Sequence, residues 1–269
     1  MKDYETKERE LLERMDALAE EDMVIAFSGG VDSSLLVKLA CLYALPRNKK
    51  VYAVTISSEL QPAKDAEIAA RVAAEAGAVH ELIHTHELEV SGIDSNPKDR
   101  CYLCKKYLFT RLLDFAKTHG IHNVIEGTNE DDLHVYRPGI RAIRELGVLS
   151  PLADVGFTKA EVRQMAEKYG ISVAMRPSAP CLATRFPYGT HLTPQLLRRA
   201  EQGENYLRAL GFKNVRLRVH GDIARIEVDK ADIGRLVENQ TDMIRMLKSL
   251  GYKYVTVDLE GFRSGSMDE

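Results

Sequence analysis

The chain has 269 residues, enough to bury a full core as one large domain or two modest ones. Charged residues make up 29% and apolar residues 45%, and the net charge of −3 gives no global electrostatic case for nucleic acid as a partner. No apolar stretch reaches the ~20 residues that cross a bilayer, so no membrane partner is expected either.

Residues up to Glu21 are charged and helical in period, with an apolar stripe of Leu11, Leu12, Met15 and Leu18. That pattern argues against a signal peptide and for a cytoplasmic location. Residues 23–27 are an apolar run that reads as a buried strand, and 35–40 read as the start of a helix. Ser28-Gly29-Gly30-Val31-Asp32-Ser33-Ser34 joins the two. Further strands are expected at 51–56, 80–83 and 123–126. Helices are expected at 62–76, at 105–117 and from the Thr158/Glu161 capping box to Tyr169. Strands alternating with helices predict a Rossmann-like α/β domain, its parallel sheet covered on both faces. The pattern changes at Pro177-Ser178-Ala179-Pro180 and Pro187-Tyr188-Gly189, which mark a linker or active-site loop. Beyond it the spacing predicts a helix from the Thr193 cap to Leu210, strands at 215–219 and 223–228, a helix over 231–250 and a strand over 254–259. This is a smaller C-terminal α+β domain. The expected organisation is a first domain over 1–176, a loop over 177–190 and a second domain over 191–269, with a frayed tail from Gly261.

A glycine-rich turn between strand and helix makes an anion site, because backbone N–H groups point inward and the positive end of the helix dipole faces the charge. Ser28, Gly29, Gly30, Ser33 and Ser34 are therefore expected to hold phosphate. Asp32 is an acid within that site, which predicts a magnesium ion bridging it to the phosphates. A Walker A motif needs a Lys after its last Gly, and here Val31 and Asp32 follow instead. The loop resembles the PP-loop, S-G-G-x-D-S, of the ATP pyrophosphatase families. The resemblance implies cleavage of ATP between its α- and β-phosphates, with AMP passed to a substrate oxygen. Glu126-Gly127-Thr128-Asn129-Glu130-Asp131-Asp132 follows the fourth expected strand, at a carboxyl end where open sheets bind ligands. Gly127, Thr128 and Asn129 are expected beside the phosphate loop, and Asp131 as a further magnesium ligand.

Cys101 and Cys104 form a C-x-x-C, which suits a redox couple, half of a zinc site or two packed thiols. Cys181 lies far downstream in the proline-marked loop. Three thiolates suit zinc or an iron–sulfur cluster, and a 4Fe–4S cluster on three cysteines leaves one iron open to an exogenous sulfide. Arg100, Lys105, Lys106 and Arg185 are expected to favour the thiolate forms. Cys41, among apolar neighbours, reads as a buried thiol. Arg216 and Arg218 alternate along one strand and so share a face, a fork for phosphate or carboxylate. Arg225 and Glu227 repeat the spacing, so a salt-bridged sheet face is the alternative. His84 and His86 read as an exposed strand end.

In order, SGGVDSS, CYLC, EGTNEDD, YRPGIRA, SPLADVGFTKAEVR, PCLATRFPYG and VRLRVHGDIARIEV cover nearly the whole chain. Together they resemble the LarE family of ATP-dependent sulfur-insertion proteins. The resemblance implies thiolation of the two carboxyls of pyridinium-3,5-biscarboxylic acid mononucleotide, on the way to the nickel-pincer nucleotide cofactor of lactate racemase. It puts the sulfur-bearing cysteine at Cys181. One branch of the family sacrifices that lone cysteine and leaves dehydroalanine. Cys101 and Cys104 make this chain resemble the three-cysteine branch, which carries a 4Fe–4S cluster. The reacting centre is then expected at Cys181, Asp32 and Arg185, with iron on Cys101, Cys104 and Cys181. Arg216 and Arg218 are expected on the substrate's ribose phosphate, and ATP, magnesium and sulfide or another sulfur donor as co-reactants. A homo-oligomer is also expected. A tRNA thiolation enzyme, a PP-loop amide synthetase and a nucleotide-sensing or metallo-regulatory module stand as alternatives.

Overall fold

The computed structural model describes residues 2–62, 64–177, 180–263 and 266–267. Among them, β1 (Met23–Ala26), β2 (Val51–Ser57), β3 (Val79–His84) and β4 (Asn123–Ile125) pair in parallel in the order β3-β2-β1-β4. Met23 lies opposite Val51 on one side and Asn123 on the other, so β1 is covered along both edges. The chain winds from β1 through β2 to β3 on one side and crosses to β4 on the other. The topological switch therefore falls at the carboxyl end of β1.

Parallel strands need crossover connections. Along the chain these and the flanking helices are α1 (Tyr4–Leu18), α2 (Val31–Ala44), α3 (Lys64–Ala76) and, after the single turn α4 (Glu87–Val90) of the β3–α5 connection, α5 (Arg100–Thr118). Four more follow β4: α6 (Glu130–Leu133), α7 (Gly139–Glu145), α8 (Pro151–Asp154) and α9 (Lys159–Lys168). α2 is apolar on nearly every side because it is enclosed. Leu35, Leu36 and Leu39 share a core with Met23 and Ile25 of β1, Met15 of α1, Ala73 of α3 and Met165 of α9. Val24 points to the other face, as period-2 alternation requires, and packs with Phe109 and Leu112 of α5. Cys41 is in the first core, and burial pushes its thiol up to about 11.

Packing divides the chain into two units. The sheet and its helices make up 1–58, 63–87 and 99–179, and the second unit is 59–62, 88–98 and 180–269. In the second unit, α10 (Pro194–Ala209) is capped by the Thr193 hydroxyl, which accepts from Leu196 N. β5 (Val215–His220) and β6 (Ile223–Val228) pair antiparallel around Gly221. α11 (Ile233–Glu238) and α12 (Gln240–Ser249) follow, and β7 (Tyr254–Val257) lies parallel to β6. α10 passes close over β5 at Gly203, where a Cβ would come within 2.5 Å of Leu217 Cδ2.

Four expectations need correction. The helix expected over 231–250 is broken at Asn239, whose side-chain amide donates to Arg235 O (2.7 Å) and ends α11. α5 begins at Arg100, so the C-x-x-C lies in its first turn. Gly261 and Phe262 are held rather than frayed, with Phe262 N donating to Val228 O (2.7 Å). Segments 59–62 and 88–98, inside the span expected for the first domain, belong to the second unit. Ser178 and Ala179 of the proline-marked loop lie outside the described residues.

The reason for the last correction is visible at Asn96. It is fully buried at φ +49. Its side-chain amide donates to Phe186 O (3.2 Å) and Pro187 O (2.8 Å), and its backbone carbonyl accepts from Gly189 N (3.1 Å). Leu182 N donates likewise to Leu60 O (2.8 Å). Asn96→Ala removes both donors and leaves alanine in the left-handed region. The expected loss is about 2–4 kcal/mol, read as a lower midpoint in urea denaturation; an unchanged midpoint would show that Asn96 is not a clamp.

Candidate active site

β1 ends at the switch point, and Phe27 N still donates to Val54 O (2.8 Å) before the chain turns through Ser28-Gly29-Gly30 into α2. Gly29 sits at φ +66, and a Cβ there would stand 3.1 Å from the backbone N and Cα of Ala69 on α3. The turn thus needs glycine for conformation and for clearance. Gly30 is the N-cap of α2 and offers no side-chain cap. The Ser33 hydroxyl donates to Gly30 O (3.2 Å), and Ser28 Oγ accepts from Gly30 N (3.3 Å). Ser34 Oγ is buried with no hydrogen-bond partner among the described residues.

The segment after β4 lies against this loop. A Cβ at Gly127 would stand 3.1 Å from both Asp32 Cβ and Ser33 N. Buried Glu126 shapes the turn, accepting from Thr128 N (2.9 Å), the Thr128 hydroxyl (2.8 Å) and the Ser150 hydroxyl. Asn129 caps α6 and donates from Nδ2 to Asp32 Oδ1 (3.2 Å). Asp131, expected as a magnesium ligand, accepts from Lys159 N (2.8 Å) at the start of α9. The Lys159 ammonium in turn pairs with Asp32. On the other side, Arg176 donates to Gly29 O (3.1 Å) and pairs with Asp65.

The sequence reading missed Lys159 and Arg176. Lys159 is the residue after the Thr158 cap, so its place at a helix start was legible, but its neighbour across 127 residues was not. Among the described residues no three His, Cys, Asp or Glu side chains form a ready-made metal cage. Magnesium needs no such cage, since it takes one or two carboxylates along with phosphate oxygens and water. Asp32 is the carboxylate that can supply this.

Cys101 and Cys104 stand three residues apart in the first turn of α5 and so share a face. Cys101 is exposed and Cys104 half-buried. α7 approaches that turn at Gly139, where a Cβ would meet Lys105 Cγ at 2.8 Å and Cys101 O at 3.2 Å. Of the cations expected to favour the thiolates, Lys105 and Lys106 have carboxylates nearby. Lys106 donates to Tyr102 Oη (3.0 Å) and Glu145 (3.4 Å), Lys105 lies 3.9 Å from Glu126, and Arg100 is buried.

In the second unit, Cys181 is half-buried and precedes a short 3₁₀ turn over Leu182–Arg185. Arg185 is 1% exposed. Its Nε and Nη2 meet the two Glu204 oxygens at 2.8 and 3.0 Å, and Nη1 donates to Pro180 O (2.9 Å), Cys181 O (3.2 Å) and the Thr184 hydroxyl (2.9 Å). Arg218 is also buried, donating to Glu227 (2.9 Å) and Thr184 O (2.9 Å).

Arg216 differs from its neighbours. Its guanidinium donates to Val215 O (2.8 Å), lies over the Phe262 ring at 5.0 Å, and has no carboxylate partner among the described residues. Burial first, then the nearby Arg185, Arg208 and Arg218 cations, push its pKa down to about 10. The guanidiniums of Arg185, Arg208, Arg216, Arg218 and Arg225 face the carboxylates of Glu204, Glu227 and Asp258. The basin thus has unspent positive charge, centred on Arg216. At its edge His220 Nε2 is buried without a hydrogen-bond partner among the described residues, and burial together with Arg225 and Arg218 holds the imidazole below its usual range.

A phosphate loop at the switch of a parallel sheet, with Val31 and Asp32 following its last Gly in place of a Walker lysine, defines the PP-loop class of ATP-using enzymes. Residues 11–95 match the asparagine synthase family model, which belongs to that superfamily. The chain is 40% identical over 247 residues to pyridinium-3,5-bisthiocarboxylic acid mononucleotide synthase of Lactiplantibacillus plantarum, covering 92% of this chain and 89% of that one. An uncharacterised protein of Synechocystis is also 40% identical over 247 residues, covering 91% of each chain. One from Methanocaldococcus jannaschii is 28% identical over 249 residues, covering 90% of this chain and 91% of its own. The chain belongs to the LarE family of ATP-dependent sulfurtransferases. Among the described residues no helix is long and apolar enough to cross a membrane.

Two outcomes follow from the charges. Lys159→Ala is expected to raise KM for ATP by about tenfold or more, the usual worth of a hydrogen bond to a charged group, without lowering the melting temperature. An unchanged KM would confine Lys159 to Asp32. Arg216 is a base whose folded pKa is depressed, so its burial penalty is fully present below about 10 and fades above it. Arg216→Met is therefore expected to raise the melting temperature of the ligand-free protein at pH 7 while weakening anion binding. A lower melting temperature would show that Arg216 stabilises the basin.

Proposed function

We propose that this chain adenylates the ring carboxylates of pyridinium-3,5-biscarboxylic acid mononucleotide and replaces the activated oxygen with sulfur. The observation that carries this reading is the 40% identity, over 92% of the chain, to a protein named for the bisthiocarboxylic product. A carboxylate is a poor electrophile because its leaving group would be oxide. Its oxygen attacks the α-phosphorus of ATP, the bond to the bridging oxygen breaks, and pyrophosphate departs. Sulfide then adds to the carbonyl carbon, and AMP leaves with the former carboxylate oxygen. Each thiolation thus uses one ATP and one sulfide.

The residues divide this work. Ser28, Ser33, Ser34 and the N–H groups around Gly29 and Gly30 hold the phosphates that leave. Gly127, Thr128 and Asn129 form the wall that keeps Asp32 in place, and Asp32 would hold magnesium, which neutralises charge on the departing pyrophosphate. Lys159 moves from Asp32 to those phosphates when they arrive. Arg216 takes the substrate's ribose phosphate, while Arg218 keeps the basin's shape. Arg185 is a positioning residue, since it grips the Cys181 carbonyl rather than a reacting atom. Asp131 acts through Lys159 in the same way.

Thiolates three apart on one helical turn, with a third in a loop, are a donor set suited to an iron–sulfur cluster. Cys101, Cys104 and Cys181 would hold it, and the iron left open would present an exogenous sulfide. We place the enzyme in the cytoplasm as a homo-oligomer, with sulfide itself as the donor.

Anaerobic turnover followed by intact-protein mass spectrometry tests the sulfur source. Cys101→Ala, Cys104→Ala and Cys181→Ala are each expected to abolish thiolation and iron binding but to keep substrate-dependent pyrophosphate release. The wild-type mass should be unchanged after several turnovers with supplied sulfide. Loss of the elements of hydrogen sulfide at Cys181, with Cys101→Ala and Cys104→Ala fully active, would replace the cluster with a sacrificial cysteine. Absence of pyrophosphate release with this substrate would overturn the substrate assignment.

A further inference from the structure

The tail was expected to fray, yet its described residues lie along the arginine basin. Gly261 turns the chain at φ +76, where a Cβ would stand 2.9 Å from Val228 O. Phe262 N then donates to Val228 O (2.7 Å), just beyond β6, and its ring faces the Arg216 guanidinium at 5.0 Å. Ser266 Oγ donates to Glu227 Oε1 (2.7 Å), and Arg225 Nη2 lies 3.6 Å from Met267 Sδ. These contacts fall on one face of the β5–β6 hairpin, where Arg216 is directly opposite Glu227 and Arg218 opposite Arg225.

The register poses a problem that the tail solves. Glu227 is the cross-strand partner of Arg216 and would neutralise it if the two met. Instead Glu227 is fully buried and committed to Arg218 Nε (2.9 Å), Arg225 Nη2 (3.2 Å) and the Ser266 hydroxyl. A carboxylate would fix the Arg216 guanidinium but quench its charge. An aromatic face fixes it and leaves both the charge and most of its donors available. Without such a face, a long cation lacking a counter-ion turns its head to water.

We infer that Gly261, Phe262 and Ser266 act as a C-terminal strap that arms the anion subsite, with Phe262 as the positioning residue for Arg216 and Ser266 as a further partner that helps hold Glu227 away from it. The inference rests on reading Arg216 as the site of the substrate's phosphate. It adds a segment that the sequence assigned to no role, and it makes the affinity of the second unit for phosphate depend on residues outside its helices and strands.

Isothermal titration of the full chain, without ATP, tests this with two probes: inorganic phosphate, and a pyridinium mononucleotide carrying one ring carboxylate. The difference between wild type and Arg216→Met defines the subsite. Phe262→Leu keeps apolar volume and removes the ring, and Phe262→Tyr keeps the ring. Phe262→Leu is expected to weaken Arg216-dependent phosphate binding by roughly three- to thirtyfold, the range of a cation–π contact. Phe262→Tyr should restore it, and ATP affinity should be the same in all. Ser266→Ala, which removes one of the three partners of Glu227 and leaves Arg218 and Arg225 as the others, is expected to weaken phosphate binding too, and it decides the matter if Phe262→Leu proves unstable. Equal phosphate affinity in wild type, Phe262→Leu and Ser266→Ala would overturn the strap, as would the absence of any Arg216-dependent phosphate binding. Phosphate binding that follows this order while the mononucleotide fails to bind would overturn the substrate reading and leave the strap standing.

Discussion

The pairing of Asp32 with Lys159 is the relation on which the first unit's chemistry rests. A site for the phosphates of ATP needs positive charge, and this loop contributes an acid. The N-terminal turn of α2 tolerates that acid because the helix dipole favours a carboxylate there. The missing cation arrives from α9, and much local structure fixes it. Thr158 and Glu161 close a capping box at the start of α9, Lys7 holds Glu161 at 3.0 Å, and Asp131 accepts from Lys159 N. A Walker lysine sits on the loop it serves. Here the cation and the loop belong to different elements, so the cation can serve the acid first and phosphate later.

The second unit poses the opposite problem, too many cations. Buried ion pairs add little net stability, because the desolvation of both partners offsets their attraction. Their value here is in shape. The turn at 180–185 has no sheet neighbour to satisfy its carbonyls, and an unmet buried carbonyl is unfavourable. Arg185 satisfies Pro180 O and Cys181 O, and Arg218 satisfies Thr184 O, while Glu204 and Glu227 hold the two guanidiniums in place. Two ion pairs thereby fix the backbone that presents Cys181.

How far the sequence could be read follows from the range of each interaction. The phosphate loop, the α9 capping box and the alternation of strands and helices rest on neighbours a few residues apart, and each is where its local signal put it. The pairing of Lys159 with Asp32, and the hold of Arg176 on Gly29, cross more than a hundred residues, and no local pattern encodes them. Asn96 is a subtler case. Its left-handed backbone is a local property, but its partners, Phe186 and Pro187, are set by the packing of two distant segments. Arg216 and Arg218 look equivalent by spacing. Burial separates them, since one is bound to Glu227 and the other is left with a carbonyl and an aromatic ring.

That separation has a thermodynamic consequence. A guanidinium withdrawn from water and held among like charges, with its pKa depressed to about 10, is a standing loss of stability in the ligand-free protein. An anion that binds there relieves the repulsion and stabilises the fold by mass action. Sequences improved for stability alone would replace Arg216 with an apolar residue, as buried charges often can be. Keeping an arginine there, with an aromatic ring where a carboxylate would neutralise it, makes sense if the positive charge is needed by something that comes and goes. Asp32 and Lys159 are the opposite arrangement, since there each charge has its counter-ion within the same unit.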